Sequence, residues 1–548
     1  DVCVIGSGAG GGPVAWTVAR AGHSVVVLEK GAWLQGSDFA KDELAVRRGQ
    51  FLPDPALEPQ VVELATHPGR FHGWPAADVG WSFWNGSLVG GATNLMSGFF
   101  HRMKPIDFRL LTQFGAIEGG DVADWPIDYD VLEPWYALTE TLVGVSGRST
   151  PHPFADRRST ADFPLAPLQA HPLASWVDAA ASRLGLNSFV IPRAVLSEPR
   201  GSRGVCNYSG YCGGYGCTTG AKGSSRTVFI EPAVATGRCQ VLSRAQAHRF
   251  VLNRDGQIDH VSFTDAAGPK RLKARVYVVA CQAIETARLL LASNGPGHPN
   301  GLANRSGQVG RNLLFSASGH ATADFPYDAY GHDQRRELRS GAPFIDRAIQ
   351  DDYVLTVPSR MKGGTIDFLL PHPNPIAAAS ALAHGADAPL WGMELKRKLQ
   401  WYFGRSRHVK AETFADWVPN PDCFVALDPA VRDQWGKPVA RVRVLSHARN
   451  AAVSEALIAR AGSVLKAMGG QSVRGGGAGG ASTNLVAGTC RFGVDPAMSV
   501  LDRDCRAHDV PNLFVTDASF MPTGGSVPFT FTVYANALRV GAVIAAEL

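Results

Sequence analysis

"DVCVIGSGAGGGPVAWTVARAGHSVVVLEKG", Asp1 to Gly31, opens the 548-residue chain and decides its fold class. A short apolar strand leads into Gly6-x-Gly8-x-x-Gly11, a run with helical spacing follows, and a second strand, "SVVVLE", ends on Glu29. The glycines permit a tight turn and close backbone approach to a pyrophosphate. The helix N-terminus favours that negative charge, and an acidic residue about 20 positions on can bind a ribose hydroxyl. With all four features in register, the stretch predicts a dinucleotide site in an α/β protein. FAD and NAD use the same turn, so the choice between them rests on the remainder of the chain.

The length exceeds the size at which one core stops growing, which predicts two domains or one large composite. A hydrophobic share of 45% with 18% charged residues describes a globular protein with ample core rather than a disordered chain. The net charge of +5 is small for this length, and no Lys/Arg cluster interleaves with aromatics, so nucleic acid is not an expected partner. No run approaches eighteen apolar residues, so no membrane span is expected either. The sequence begins inside a predicted strand, which leaves the compartment open: the cytoplasm is favoured, and the periplasm follows if a signal lies upstream.

Further along, "ARVYVVACQAIETARLLLAS" is a buried strand running into a helix, a second α/β unit. "RCQVLSRAQAHRFVLNRDGQIDHVSF" alternates and breaks at Asp255-Gly256 as a hairpin does. From about Ser318 to Pro429 that pattern gives way to Pro, His and aromatics, as expected of a sheet and loops over a pocket. "ALIARAGSVLKAM" is a helix ended by Gly469-Gly470. The tract "RGGGAGGAS", Arg474 to Ser482, reads as a flexible loop, with direct cofactor contact as the alternative. The strand "NLFVTDASF" and a final helix close the chain, and no internal repeat is present.

Taken in order, "VIGSGAGGGPVA" with "VVLEKG", "VGGATNLMSG", "ADWPIDYDVLEPWY", "GCTTGAKGS", "VVACQAIETARLLL", "QVGRNL", "WVPNPDCFVALDP", "GTCRFGVDPAMSVLD" and "VPNLFVTDASFMPT" resemble the glucose-methanol-choline (GMC) oxidoreductases, FAD-dependent enzymes, over nearly the whole chain. The bacterial sugar and gluconate-type dehydrogenases are nearest in character. The resemblance implies a discontinuous Rossmann-like FAD domain (1–107, 206–318 and 484–548). It implies a substrate domain (108–205 and 319–483) built on an antiparallel sheet backed by helices. Gly6, Gly8 and Gly11 would cradle the pyrophosphate and Glu29 the adenosine ribose. The turn carrying Gly91, Thr93 and Asn94 would approach the flavin ring, and Asp517 with Ala518 would reach the ribityl or pyrophosphate region, a strand-end cap being the plainer role for Asp517. Some members bond FAD through a histidine at the position of Asn94, so the cofactor here is expected to be non-covalent. The implied activity is hydride transfer from a CH–OH donor, a sugar, glycoside or other alcohol, to flavin N5. The resemblance also implies a small-molecule substrate and an electron acceptor or small companion subunit, and it leaves oxidase and dehydrogenase open.

An alcohol is too weak an acid to ionise unaided, so a positioned base is worth roughly 10²–10⁴-fold. The family pattern places a His three residues before the Gly of "GTC" and a His or Asn near the start of the last helix. Here those positions read Leu485 and Pro528, and neither can accept a proton. Asn484 and Asn536 are the neighbouring polar groups, and His101 follows the flavin-facing turn; these three are the candidate catalytic residues. His320 and His372 lie further off in the predicted substrate domain. The alternatives are a substrate with a more acidic proton, a lyase-type reaction, or a flavin-binding subunit without its own turnover.

Six of the nine cysteines are isolated (Cys3, Cys239, Cys281, Cys423, Cys490, Cys505) and read as small buried residues. Cys206, Cys212 and Cys217 share a Gly/Tyr-rich loop. The expected role is tight packing or one disulfide. The alternative, implied by resemblance to certain sugar dehydrogenases, is three ligands of an iron–sulfur cluster.

Overall fold

The computed structural model describes residues 1–47, 49, 51–67, 69–83, 86–356, 360–384 and 388–548. The opening stretch folds as its pattern requires. Val2–Ile5 and Val25–Glu29 are neighbouring parallel strands, and the Gly11–Arg20 helix joins them. They sit in a five-stranded sheet of order Leu513–Val515, Val276–Val279, Val2–Ile5, Val25–Glu29, Cys239–Ser243, every pair parallel. Strands buried on both faces carry near-continuous apolar runs, which is why "VCVI", "VYVV" and "LFV" do not alternate. The last helix, Thr530–Glu547, packs on Gly11–Arg20. Gly541 makes the crossing close: a Cβ there would lie 3.0 Å from Thr17 Cβ and 3.2 Å from Val14 Cα.

A second, six-stranded antiparallel sheet has the order Gln471–Gly488, Leu313–Pro326, Ser406–Ala415, Gly364–Leu369, Arg347–Ile349, Ser188–Val190. Leu313–Pro326 is buried throughout its first five residues and alternates from Ala317 on. Ala317, Ala321 and Ala323 turn inward towards the Ala448–Ala467 helix, while Ser318, His320 and Thr322 point to the other face. Leu313–Pro326 and Gln471–Gly488 both run across the predicted boundaries at 318/319 and 483/484. The hairpin expected at Asp255-Gly256 is present, with Gln246–Leu252 antiparallel to Ile258–Asp265.

One expectation is corrected. The tract Arg474–Ser482 is not a loop but part of the 18-residue edge strand Gln471–Gly488. Its glycines answer to crowding: a Cβ on Gly475 would lie 2.4 Å from Ile458 Cγ2, and one on Gly479 2.7 Å from Ala451 backbone, both on the packed helix. Glycine therefore lets a helix lie directly on the strand, a role that composition does not separate from flexibility.

The segment leading into the last helix is pinned from below. Lys362, 7% exposed, pairs with the fully buried Asp107 at 2.6 Å and donates to Ser526 Oγ. Asp107 Oδ2 also accepts from Lys104 N and Tyr353 Oη, each at 2.6 Å. Removing one partner of a buried pair leaves an uncompensated charge. Lys362→Met is therefore expected to destabilise the fold by about 3–5 kcal/mol, read as a lowered urea unfolding midpoint. An unchanged midpoint would show that the pair is dispensable.

Candidate functional site

A cavity of about 800 Å³ runs from the first glycine turn to the open face of the six-stranded sheet. At the turn, glycine is required by chain meeting chain. Gly6 has φ +93°, and a Cβ there would stand 2.3 Å from Ala280 O; one on Gly11 would stand 1.9 Å from Gly6 O. Gly8 differs, since a Cβ on it would meet only Gly91 Cα, at 4.0 Å. Gly8 and Gly91 thus face each other across space that a side chain would fill.

Ser7 ties this turn to its neighbours. Its N and Oγ donate to Glu29 Oε2 at 3.1 and 2.7 Å, and its Oγ accepts from Gly90 N at 2.8 Å. Glu29 Oε1 accepts from Gly31 N at 2.8 Å, which fixes the carboxylate on the cavity wall. Thr93 Oγ1 accepts from Ser225 N at 2.8 Å, and Ser225 Oγ donates to Ser7 O and Gly8 O. Gly91 and Thr93 line the cavity. Asn94 does not: it is buried, and its amide donates to Val89 O and Gly91 O at 3.0 and 2.9 Å, holding its own turn.

Asp517 and Ala518 also line the cavity. Asp517 caps the following turn through Ser519 N (2.8 Å) and accepts from Gln282 N (3.0 Å) and Thr286 Oγ1, so it joins the last strand to the Ala283–Ala292 helix. Burial raises its carboxyl above the ordinary value, and the hydrogen bonds from Ser519 and Thr286 oppose that. Three wall residues that sequence reading missed carry buried polar atoms without a partner: Gln246 Oε1, Gln282 Nε2 and Arg288 Nη1. Buried groups of this kind are normally satisfied, so their convergence marks a polar ligand. The one sequence clue was a charged Arg288 inside the apolar run "ARLLL".

At the far end, the edge strand bulges. Phe315 and Ser316 are consecutive, yet they pair with Val486 and Ser482, so residues 483–485 have no opposite number. Thr483, Asn484 and Leu485 all line the cavity, and Ser482 Oγ donates to Asn484 Oδ1 at 2.6 Å. Pro528 shares the wall, as do His320 and the Lys410–Glu412 ion pair of 2.7 Å.

The other candidates lie elsewhere. His101 is 2% exposed, with Nε2 3.1 and 3.3 Å from the carboxylate oxygens of Asp367, and is absent from the cavity wall. Asn536 is fully buried in the last helix, donating to Cys505 Sγ at 3.3 Å and accepting from Arg539 Nε at 3.0 Å. His372 lines a separate cavity of about 270 Å³, with Nε2 3.4 Å from Ser97 Oγ. Of the three candidate catalytic residues, the structure brings only Asn484 to the cavity.

Cys206, Cys212 and Cys217 are free thiols, partly buried against the small apolar cluster of Leu168, Val195, Leu196, Ala221 and Phe344. Of the two expected arrangements, tight packing is present and a disulfide is not formed. Among the described residues no group of three or more His, Cys, Asp or Glu side chains is arranged to hold a metal ion. No described helix is long and apolar enough to cross a membrane.

Known proteins are similar to this chain in sequence and in shape. Models of the GMC oxidoreductase N- and C-terminal regions match residues 163–316 and 419–537. The chain is 30% identical to 6'''-hydroxyparomomycin C oxidase of Streptomyces lividus, an alignment covering 100% of this chain and 92% of that one. It is 28% identical to 2-methyl-1,2-propanediol dehydrogenase of Mycolicibacterium austroafricanum, covering 99% and 94%. A solved Aspergillus oryzae formate oxidase, a study of FAD modification, superposes with TM-score 0.64 at 15% identity over 100% of this chain and 98% of that one.

A valine at position 8 would fill the gap facing Gly91. Gly8→Val is expected to fold, by far-UV circular dichroism, but to purify without the visible flavin absorbance of the parent. Retained absorbance would remove this turn from the ligand site.

Proposed function

The chain belongs to the GMC oxidoreductase family, and from that premise we propose that its cavity holds FAD at the glycine-turn end and a polyhydroxylated alcohol against the six-stranded sheet. The protein is an FAD-dependent oxidoreductase acting on CH–OH groups. Bound FAD supplies the two-electron acceptor for the hydride that leaves the carbinol carbon.

The residues present fit that cofactor. The observation that carries the reading is the set of orphaned polar atoms, Gln246 Oε1, Gln282 Nε2 and Arg288 Nη1, on the same wall as Glu29 and the Gly8–Gly91 gap. Gly6, Gly8 and Gly11 would hold the pyrophosphate, Glu29 a ribose hydroxyl, and Gly91 and Thr93 the neighbourhood of the ring, with Asp517 and Ala518 beside the linking chain. Asn94 has no nucleophilic atom, and its amide is spent on its turn, which supports a non-covalent cofactor. Cys206, Cys212 and Cys217 are read as packing residues.

At the sheet end, Ser318, Ser482, Asn484, Lys410 and Glu412 offer both donors and acceptors. Such a wall suits a substrate with many hydroxyls, and its Glu412 also suits an amino sugar. A sugar, glycoside or aminoglycoside is the substrate class this reading favours.

Anaerobic titration of the purified holoenzyme tests the reading, with 6'''-hydroxyparomomycin C, 2-methyl-1,2-propanediol, aldoses, an aldonate and a phenol as donors. Bleaching of the flavin bands by a hydroxyl-rich donor is expected, with the phenol inert. No bleaching by any alcohol would overturn it.

A further inference from the structure

The reaction proposed above lacks a proton acceptor at both customary positions, since Leu485 and Pro528 line the cavity and neither can bind a proton. We propose that His320, on the strand beside the bulged one, takes the substrate hydroxyl proton in their place, with Glu412 as the positioning residue that stabilises the imidazolium. The inference rests on the FAD-dependent reading of the same cavity.

Four observations carry it. First, the chain has 16 histidines, and His320 is the one histidine on the cavity wall among the described residues. Second, its ring is seated but uncommitted. It lies on the glycines of the edge strand, where a Cβ on Gly476 would be 3.4 Å from Cε1 and Nε2 and one on Gly477 3.5 Å from Nδ1, yet neither nitrogen hydrogen-bonds a described residue. Third, His320 pairs in register with Glu412 across the ladder, and directly opposite Cβ atoms stand about 4.5–5.5 Å apart. Fourth, His320 and Leu485 belong to adjacent strands of one sheet and face one cavity, so the base has moved one strand over.

The charged groups facing the ring are Lys410 and Glu412, both from Ser406–Ala415; the glycines on its other flank carry none. Burial, aided by Lys410 and opposed by Glu412, holds His320 below the usual histidine value of 6.5. The ring is therefore neutral, and able to accept a proton, at neutral pH; activity is lost as pH falls through its value.

The step balances. The substrate O–H bond breaks and its proton forms an N–H bond on His320, the O–H electron pair becomes the second C–O bond, and the C–H pair leaves as hydride to the oxidised flavin. The alcohol gives up two electrons and two hydrogens and departs as a carbonyl compound. His320 then returns its proton to solvent through the open cavity.

The test uses the holoenzyme and the best donor found above. In anaerobic rapid mixing, His320→Gln is expected to slow flavin reduction by about 10²–10⁴-fold with KM little changed, and to erase the acid limb of the pH profile. Imidazole should partly rescue His320→Ala, and Glu412→Gln should shift the acid limb to lower pH. A readout independent of turnover and of variant folding is labelling of the oxidised parent enzyme with diethyl pyrocarbonate, followed by peptide mass spectrometry. His320 should be labelled with a midpoint below 6.5, the ordinary histidine value, and protected by the bound carbonyl product. Reduction by His320→Gln at the parent rate with its acid limb intact, or His320 inert to the reagent, overturns this proposal alone. A parent enzyme that no alcohol bleaches overturns the FAD-alcohol reading and this proposal with it.

Discussion

The structure depends on backbone meeting backbone at the first glycine turn. Added Cβ atoms would meet Ala280 O from Gly6, Thr516 and Asp517 backbone from Gly10, at 2.5–2.6 Å, and Ser225 Oγ from Gly12, at 1.9 Å. Four segments far apart in sequence therefore converge where the glycines leave no room for a side chain of their own. That convergence sets Glu29, Gln282 and Asp517 around one space. The hydrogen bonds of Ser7 and Ser225 then carry the same frame to the Gly90–Asn94 turn. The turn is thus both a wall of the cavity and the keystone of the parallel sheet, which is why glycine spacing there forecasts so much of the molecule.

What was legible in the sequence follows from that dependence. Strand, glycine turn, helix and terminal Glu29 are local, and local pattern is what sequence displays. Leu485 and Pro528 were placed on the cavity by motif spacing alone. The direction of a side chain was not legible. His101 follows the Gly90–Asn94 turn by a few residues but points into a buried pair with Asp367, a partner 266 positions away. Asn536 falls on the core face of its helix, where Arg539 and Cys505 occupy its amide. The glycine tract was misread because crowding by a helix and freedom in a loop leave the same residues behind. Gln246 and Gln282 were missed because a lone glutamine carries no motif; only burial without a partner distinguishes them.

The bulge explains how Leu485 reaches the cavity without disturbing the ladder. Residues 483–485 stand outside the ladder, so the side chain at 485 is not required for pairing, and Leu485 there is 8% exposed beside the apolar core. An apolar group at that point excludes water, and the adjoining strand keeps its polar residues on the same face. Burden and function are divided between neighbours: one strand shapes the cavity, the next supplies its chemistry.

A single row of the six-stranded sheet shows why His320 rather than His101 is free to act. Phe189, Ala348, Asp367, Glu412, His320 and Gly476 lie in register across all six strands. Asp367 and Glu412 are directly opposed, and like charges so placed destabilise a sheet unless each is compensated. Lys410 pairs with Glu412 at 2.7 Å on the cavity side, and His101 Nε2 lies 3.1 Å from Asp367 Oδ1 in the interior. His101 Nε2 is committed to Asp367, which is fully buried, and the pair lies off the cavity wall, out of reach of a substrate there. His320 bears no such duty. A proton arriving on His320 is stabilised by its neighbour Glu412, and its loss leaves nothing buried unpaired. The electrostatics of the row, more than proximity to any one segment, thus assign the two histidines their separate work.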